Sequence, residues 1–305
     1  LLLPMMVAAG HDRARSAGLI ASASIIAPVI PPSIGFVIFG VAGNVSISKL
    51  FMAGIVPGIM LGASLWVTWW WLARRELVQV PPRKTLREIG VAMREATWAL
   101  VMPLIVVFGL KFGVFTPTEA AVVAAVYALF ISTFVYRELG LKDLYPLFVS
   151  AAKTSAVVMF LVAAAMVSAW LITVANLPAQ LIDILQPMLD SPRLLMFTIM
   201  VIIIVIGTAL DMTPTILLLT PVLMPVVKAA GIDPVYFGVL FIINCAIGLI
   251  TPPVGTVLNA VAGVGKISMD EVTRGVMPFM LAQFTIMFAM VAFPALVMVP
   301  ARWFY

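Results

Sequence analysis

A chain of 305 residues that is 63% apolar and 10% charged, with a mean hydropathy of +1.17, is not a water-soluble domain. Its net charge of +5 does not point to nucleic acid, because excess Lys and Arg ordinarily marks cytoplasmic loops and no basic patch here is interleaved with aromatics. A single cysteine, Cys245, excludes an intrachain disulfide. No phosphate-binding loop of the G-x-x-x-x-G-K-[ST] type, nucleophile–base pair or Cys/His cluster appears, and His11 is the only histidine. Enzymatic chemistry and ATP hydrolysis are therefore unsupported, no transition metal or organic cofactor is expected, and an ion gradient is the remaining energy source. The expectation is an all-α polytopic membrane protein.

Residues 1–9 read as the end of a truncated element, and His11, Asp12, Arg13 and Arg15 as a polar turn. Two half-helices, 16–30 and 33–43, flank Pro31-Pro32, and a short polar connection leads to a span over 51–72. That span is about 33 Å long at the helical rise per residue. It ends in Trp66, Trp69, Trp70 and Trp71, where an aromatic belt belongs. Residues 1–72 thus make the remainder of a first transport repeat. The stretch 73–96 is basic, with Leu86, Ile89 and Met93 spaced for one apolar face, and predicts a cytoplasmic amphipathic helix on the membrane surface.

Residues 97–175 supply scaffold helices: a span over 97–111, a helix to residue 136 opened by Thr116, Pro117 and Glu119 as cap residues, an amphipathic stretch 137–153, and a span over 154–175. An interfacial helix follows within 176–193. The second transport repeat, 194–299, begins with a re-entrant hairpin (194–229). Its legs, 194–207 and 215–228, are about 21 Å each, too short for about 30 Å of hydrocarbon. A broken helix (234–265) and a last span (276–299) complete it.

The two repeats align at a constant offset of 221. Pro4 falls on Pro225, Gly10 on Gly231, Asp12 on Asp233, Pro31-Pro32 on Pro252-Pro253, Gly54 on Gly275 and Pro57 on Pro278. The partner of Asp211 would lie before Leu1, so the chain is expected to be a C-terminal fragment whose first repeat is truncated. Placing Arg74-Arg75 inside and alternating the spans puts thirteen Lys and Arg on the cytoplasmic side against five outside. The repeats are then inverted, as in many secondary transporters.

Each Pro-Pro pair interrupts an apolar run long enough to cross a bilayer. Proline has no N–H and crowds the carbonyl one turn back, so Pro252 and Pro253 are expected to free the carbonyls of Gly248 and Leu249. A helix ending at Ile250 presents its negative dipole end to the gap, and one starting near Thr256 its positive end. A cation site on one side and an anion site on the other follow, with the hydroxyls of Thr251 and Thr256 at hand. Asp211, the only acid in the hairpin, is a candidate cation ligand or the N-cap of the leg beginning at Thr213-Pro214. Thr213, Asn244, Thr256 and Asn259 are candidate solute contacts, with helix–helix hydrogen bonding as the alternative for the two asparagines. Ser22, Ser24 and Ser33 are the first-repeat candidates, Ser33 as a cation ligand.

With these residues in view, the chain resembles the large membrane subunit of tripartite ATP-independent periplasmic (TRAP) transporters. The runs that carry the likeness are Ile30-Pro-Pro-Ser33, Ser46-Ile-Ser-Lys-Leu-Phe-Met-Ala-Gly54, Gly113-Val-Phe-Thr-Pro-Thr-Glu-Ala-Ala121, Gly231-Ile-Asp-Pro234 and Gly248-Leu-Ile-Thr-Pro-Pro-Val-Gly255. The resemblance implies an elevator-type importer of an organic acid in the bacterial inner membrane, with Na+ as coupling ion. A small membrane subunit and a periplasmic substrate-binding protein are the implied partners. It also implies sodium where hairpin tips meet broken helices. Here that means Asp211 with Gly248, Leu249, Thr251, Pro252 and Gly255, and, in the first repeat, Ala27, Pro28, Ile30 and Ser33. The other reading left open is a stand-alone ion-coupled dicarboxylate or anion carrier that needs no binding protein.

Overall fold

The computed structural model describes residues 2–74, 76 and 84–303. Among these residues it is helical throughout, with six helices long and apolar enough to cross a membrane. The predicted amphipathic helix 73–96 lies partly outside the described residues. Two compact units are present: one formed by residues 1–80 and 168–305, the other by 81–167.

The first unit begins with α1 (Leu2–Ala8), α2 (Arg13–Ser24), α3 (Ile34–Gly43) and α4 (Ile47–Ala73). After α8 (Leu177–Leu189) come the hairpin legs α9 (Pro192–Gly207) and α10 (Met212–Ala229). The broken pair α11 (Pro234–Gly248) and α12 (Thr256–Gly265) follows, then α13 (Met269–Ala292) and α14 (Ala295–Ala301). Helix α11 is the core. Every residue from Val235 to Gly248 is buried, which is what an all-round apolar helix requires. Phe237 and Phe241 stack on each other at 5.5 Å and meet Phe39 of α3 at 6.0 and 5.8 Å.

The 221-residue offset survives as local physics. Asp12 caps α2 by accepting from Arg15 N, and Asp233, its counterpart, caps α11 by accepting from Val235 N and Tyr236 N. Pro57 lies inside α4 and Pro278 inside α13. Both Pro-Pro bonds, Pro31-Pro32 and Pro252-Pro253, are cis. Each repeat also fastens its pre-break helix to the end of its last span, by different chemistry. In the first repeat Glu76 meets His11 Nδ1 and Arg15 Nη1, each at 2.8 Å, and the His11 ring packs edge-on against Trp69. In the second, Tyr236 donates its hydroxyl to the Met290 carbonyl at 3.0 Å. Tyr236 and Met290 are the counterparts of Arg15 and Trp69.

Between the repeats, α2 and α13 pack backbone to backbone. A Cβ on Gly275 would lie 1.8 Å from the Ala14 carbonyl oxygen, and one on Gly18 would lie 2.2 Å from the Gly275 carbonyl carbon. Only glycines permit that approach, a familiar device where helices must associate without help from water.

The second unit contains α5 (Leu86–Lys111), α6 (Pro117–Phe130), which continues as a π-helical turn (Ile131–Val135), and most of α7 (Leu141–Val174). Thr85 with Glu88 and Thr116 with Glu119 form reciprocal capping boxes at the starts of α5 and α6. Tyr127 and Tyr136 then tie the two helices together by donating to the carbonyls of Trp98 and Glu95. Apolar side chains are widely exposed along these helices, among them Leu104, Phe108, Val122, Val126, Met159 and Phe160, a surface suited to hydrocarbon rather than water.

Several boundaries differ from the sequence reading. Residues 86–111 form one helix, not a surface helix followed by a span, because the Thr85 cap starts the helix and it runs on unbroken through Pro103. Residues 141–174 are likewise one helix of 34 residues. The final span starts at Met269 on a Ser268 capping box and stops at Ala292, with Phe293 and Pro294 separating it from α14. The hairpin legs are 16 and 18 residues rather than 14, since Pro192 opens the first at N1 and Met212, Thr213, Pro214 and Ala229 join the second. By length the 18-residue leg alone would reach across hydrocarbon, so the hairpin is defined by where its tip lies.

Candidate functional site

Four helix ends converge at the tip of the hairpin. Helix α9 ends at Gly207 and α11 at Gly248, and these two glycines touch: a Cβ on Gly248 would lie 3.1 Å from the Gly207 carbonyl oxygen and 3.2 Å from its Cα. Two C-terminal, electronegative helix ends therefore meet at one point. Residues 208–211 turn the chain into α10, whose N-cap position is Asp211, and α12 begins directly after Gly255. Gly255 has a φ of +43°, a conformation that favours glycine, and it supplies no side chain to cap α12.

A cavity of about 20 Å³ opens between these ends, lined by residues 207–211, Gly248, Leu249 and 254–256. That volume holds about one water-sized particle. It suits a bare cation and excludes an organic solute. Asp211 occupies the N-cap position with extended backbone, yet its side chain makes no capping bond. The carboxylate that the sequence offered either as cap or as ligand is thus not consumed by the helix and stands at the cavity wall.

The expectation of freed carbonyls needs correction. The Gly248 carbonyl accepts from Thr251 N at 3.0 Å, and the Leu249 carbonyl accepts from Val257 N at 3.1 Å, across the break. The chain tightens into i→i+3 bonds before the prolines and then reaches over them, so neither group is orphaned. A carbonyl oxygen has two lone pairs, and each of these keeps one that a cation could use. Thr251 is buried and donates its hydroxyl back to the Ile247 carbonyl at 2.8 Å. Pro252 is half-buried within the break, and Thr256 stands exposed at the cavity edge, on the first turn of α12.

The remaining candidates are spread around this point. Thr213 is half-buried in the first turn of α10. Asn259 is exposed on α12 and donates to the Val254 carbonyl at 2.7 Å, bracing the break from outside. Asn244 is buried and donates to the Met200 carbonyl of α9 at 2.7 Å, the helix–helix alternative rather than a solute contact. In the first repeat, Ala27 and Ile30 are exposed and Pro28 half-buried. Ser33 is buried, caps α3 by accepting from Phe36 N, and donates to the Pro28 carbonyl. Val29 and Ile30 of this break pack on Gly54 and Gly58 of α4.

Ser22 is buried against α13, where Gln283 donates to its carbonyl at 3.0 Å. Ser24 lines a separate, largely apolar cavity of about 900 Å³ between α1, α2 and α12, with Arg13 at its edge donating to the carbonyls of Gly265 and Lys266. The sequence reading missed Gly207, although a glycine closing an apolar leg before a polar tip marks a close backbone approach. It also missed Gln283, the one amide in the last span.

Comparison with known proteins agrees with this architecture. Residues 1–296 match the family described as the tripartite ATP-independent periplasmic transporter, DctM component. A 2,3-diketo-L-gulonate TRAP transporter large permease protein of Escherichia coli is 55% identical over 303 residues, covering 99% of this chain and 71% of the relative. A sialic acid TRAP transporter large permease protein of Vibrio cholerae is 38% identical over 277 residues, 91% of this chain and 65% of the relative. A C4-dicarboxylate TRAP transporter large permease protein of Pseudomonas aeruginosa is 33% identical over 298 residues, 98% and 70% respectively. These relatives are permeases, not enzymes.

Proposed function

Because this chain belongs to the DctM component family of tripartite ATP-independent periplasmic transporters, we propose that it imports a small organic acid across the bacterial inner membrane by symport with sodium. The named cargoes of its relatives, a diketo sugar acid, sialic acid and C4-dicarboxylates, share a carboxylate, and that is the chemistry the solute site must recognise. The family description, tripartite and periplasmic, supports two partners: a small membrane subunit and a periplasmic binding protein that delivers the acid.

The observation that carries the sodium reading is the tip cavity. A carboxylate that caps nothing, two negative helix ends and a volume of about 20 Å³ favour one desolvated monovalent cation. Asp211 supplies the charge, while the second lone pairs of the Gly248 and Leu249 carbonyls and the Gly207 end supply neutral oxygen. Pro252 and Gly255 shape the break. Ala27, Pro28, Ile30 and Ser33 would make the equivalent cation site of the first repeat. Sodium would order the tip and cancel its negative field. The N-terminus of α12, which has no side-chain cap and carries Thr256 on its first turn, then offers a positive end to the carboxylate. Thr213 and Asn259 would edge that niche, and Ser24 would face the separate cavity between α1, α2 and α12.

The unit holding both breaks and the hairpin would move as a rigid body against scaffold helices, exposing the site alternately to the two faces. Uptake into proteoliposomes, with the small subunit and the binding protein present, tests the reading. Asp211→Asn is expected to raise the sodium concentration for half-maximal uptake. Unchanged sodium-driven uptake removes Asp211 from the site, and full uptake without the binding protein favours a stand-alone carrier.

A further inference from the structure

We infer that Asn244 is a positioning residue for the tip cation site: its carboxamide pins hairpin leg α9 to the broken helix α11 and so fixes how closely Gly207 meets Gly248. The inference rests on the sodium reading above and adds what holds the site to size.

Asn244 is 1% exposed, in a helix otherwise packed with apolar side chains. Its Nδ2 donates to the Met200 carbonyl at 2.7 Å and lies 3.4 Å from the Met200 sulfur, while its Oδ1 has no hydrogen-bond partner. A half-satisfied amide in such a place works against stability, and an apolar residue of similar size would fill the same space without that penalty. It lines neither the tip cavity nor the larger cavity by Ser24, so contact with ion or solute does not account for it.

Its register does. Asn244 lies one helical turn before Gly248 on α11, and Met200 lies about two turns before Gly207 on α9. The bond therefore sits on the same contact line as the glycine pair. Between α9 and α11 the neighbouring residues Leu195, Met196, Ile199 and Ile203 are apolar, and apolar contact is non-directional. Two glycines in contact also offer no side chain to stop one helix sliding past the other. The Asn244 hydrogen bond is the directional contact that sets the axial position of α9, and with it the spacing of the two helix ends that face the cation.

The test uses the permease assembled with its small membrane subunit, with Cys245→Ala to remove the native thiol and Leu210→Cys as a reporter on the exposed tip. The alkylation rate of the reporter is followed against sodium, with potassium holding ionic strength. With Asn244 present, sodium slows alkylation. Asn244→Leu is expected to raise the half-protecting sodium concentration about tenfold, as loss of an outer-shell partner does at other metal sites. Asn244→Ser, smaller and more easily accommodated, carries the same expectation should the leucine variant fail to assemble. Ile243→Val, equally buried, is expected to lower thermal stability without moving the sodium midpoint. An unmoved midpoint in both Asn244 variants overturns the proposal, as does an equal shift in Ile243→Val, which would mark the effect as general loosening. Absence of sodium protection with Asn244 in place overturns the cation reading itself, and the positioning role with it.

Discussion

Adding one methyl at Gly248 separates the site from the fold. An alanine there places its Cβ 3.1 Å from the Gly207 carbonyl oxygen, 3.2 Å from its Cα and 3.3 Å from its carbonyl carbon. Non-bonded carbon atoms rest at about 3.5–4.0 Å, so leg α9 must withdraw by roughly 0.3–0.5 Å. Overpacking of this kind costs about 1–3 kcal/mol. Replacing glycine by alanine at a helical position returns about 0.5–1 kcal/mol of that. The net loss of stability is on the order of 1 kcal/mol, while the whole displacement falls on the cavity wall. The same change at Gly275 sets a Cβ 1.8 Å from the Ala14 oxygen and 2.4 Å from its carbonyl carbon, backbone atoms that cannot give way without parting α2 from α13. Gly248→Ala should therefore assemble, unfold within a few degrees of the parent, and need about tenfold more sodium for half-maximal uptake, equivalent to about 1.4 kcal/mol. Gly275→Ala should fail to assemble. The assay is thermal unfolding of the purified complex beside a sodium titration of uptake. Gly248→Ala with an unmoved sodium titration, or with the same collapse as Gly275→Ala, refutes the reasoning.

The helix caps offer a second measurement. Asp233→Ala removes an acceptor from Val235 N at 2.7 Å and Tyr236 N at 3.1 Å, whereas Asp12→Ala removes one from Arg15 N at 2.8 Å. Each should cost about 0.5–2 kcal/mol, the Asp233 change more, and equal thermal midpoints would deny the difference. Gln283→Leu removes a buried amide whose Oε1 has no partner. It should alter stability by less than about 1 kcal/mol or raise it, and a large drop in the unfolding midpoint would show that the amide is better satisfied than its protein neighbours indicate.

The helical class and the breaks were legible because their signals are local and chemically costly. Two Pro-Pro pairs in register, an Asp one residue before each pre-break helix and a run with no charge leave few alternatives. Thr116, Pro117 and Glu119 announced their capping box in the same way. What the sequence hid was tertiary. Nothing in the one-dimensional pattern shows that the Leu249 carbonyl finds Val257 N beyond the prolines, because that bond exists only once the chain has folded back. Nor does it show that Asn244 reaches Met200, 44 residues away, and not a solute. Basic residues spaced along 73–96 suggested a surface helix, yet Arg87, Arg94 and the apolar positions Leu86, Ile89 and Met93 belong to the start of one long helix whose opening cap at Thr85 lies inside that stretch.

The unlike fastenings at the two repeat ends have a consequence of their own. An ion pair such as Arg15 with Glu76 weakens as dissolved salt screens it. A neutral phenol on a backbone oxygen, as at Tyr236 and Met290, carries no charge for salt to screen. Of two ends that occupy equivalent places in the repeats, the first therefore responds to the salt content of the fluid that bathes it and the second does not.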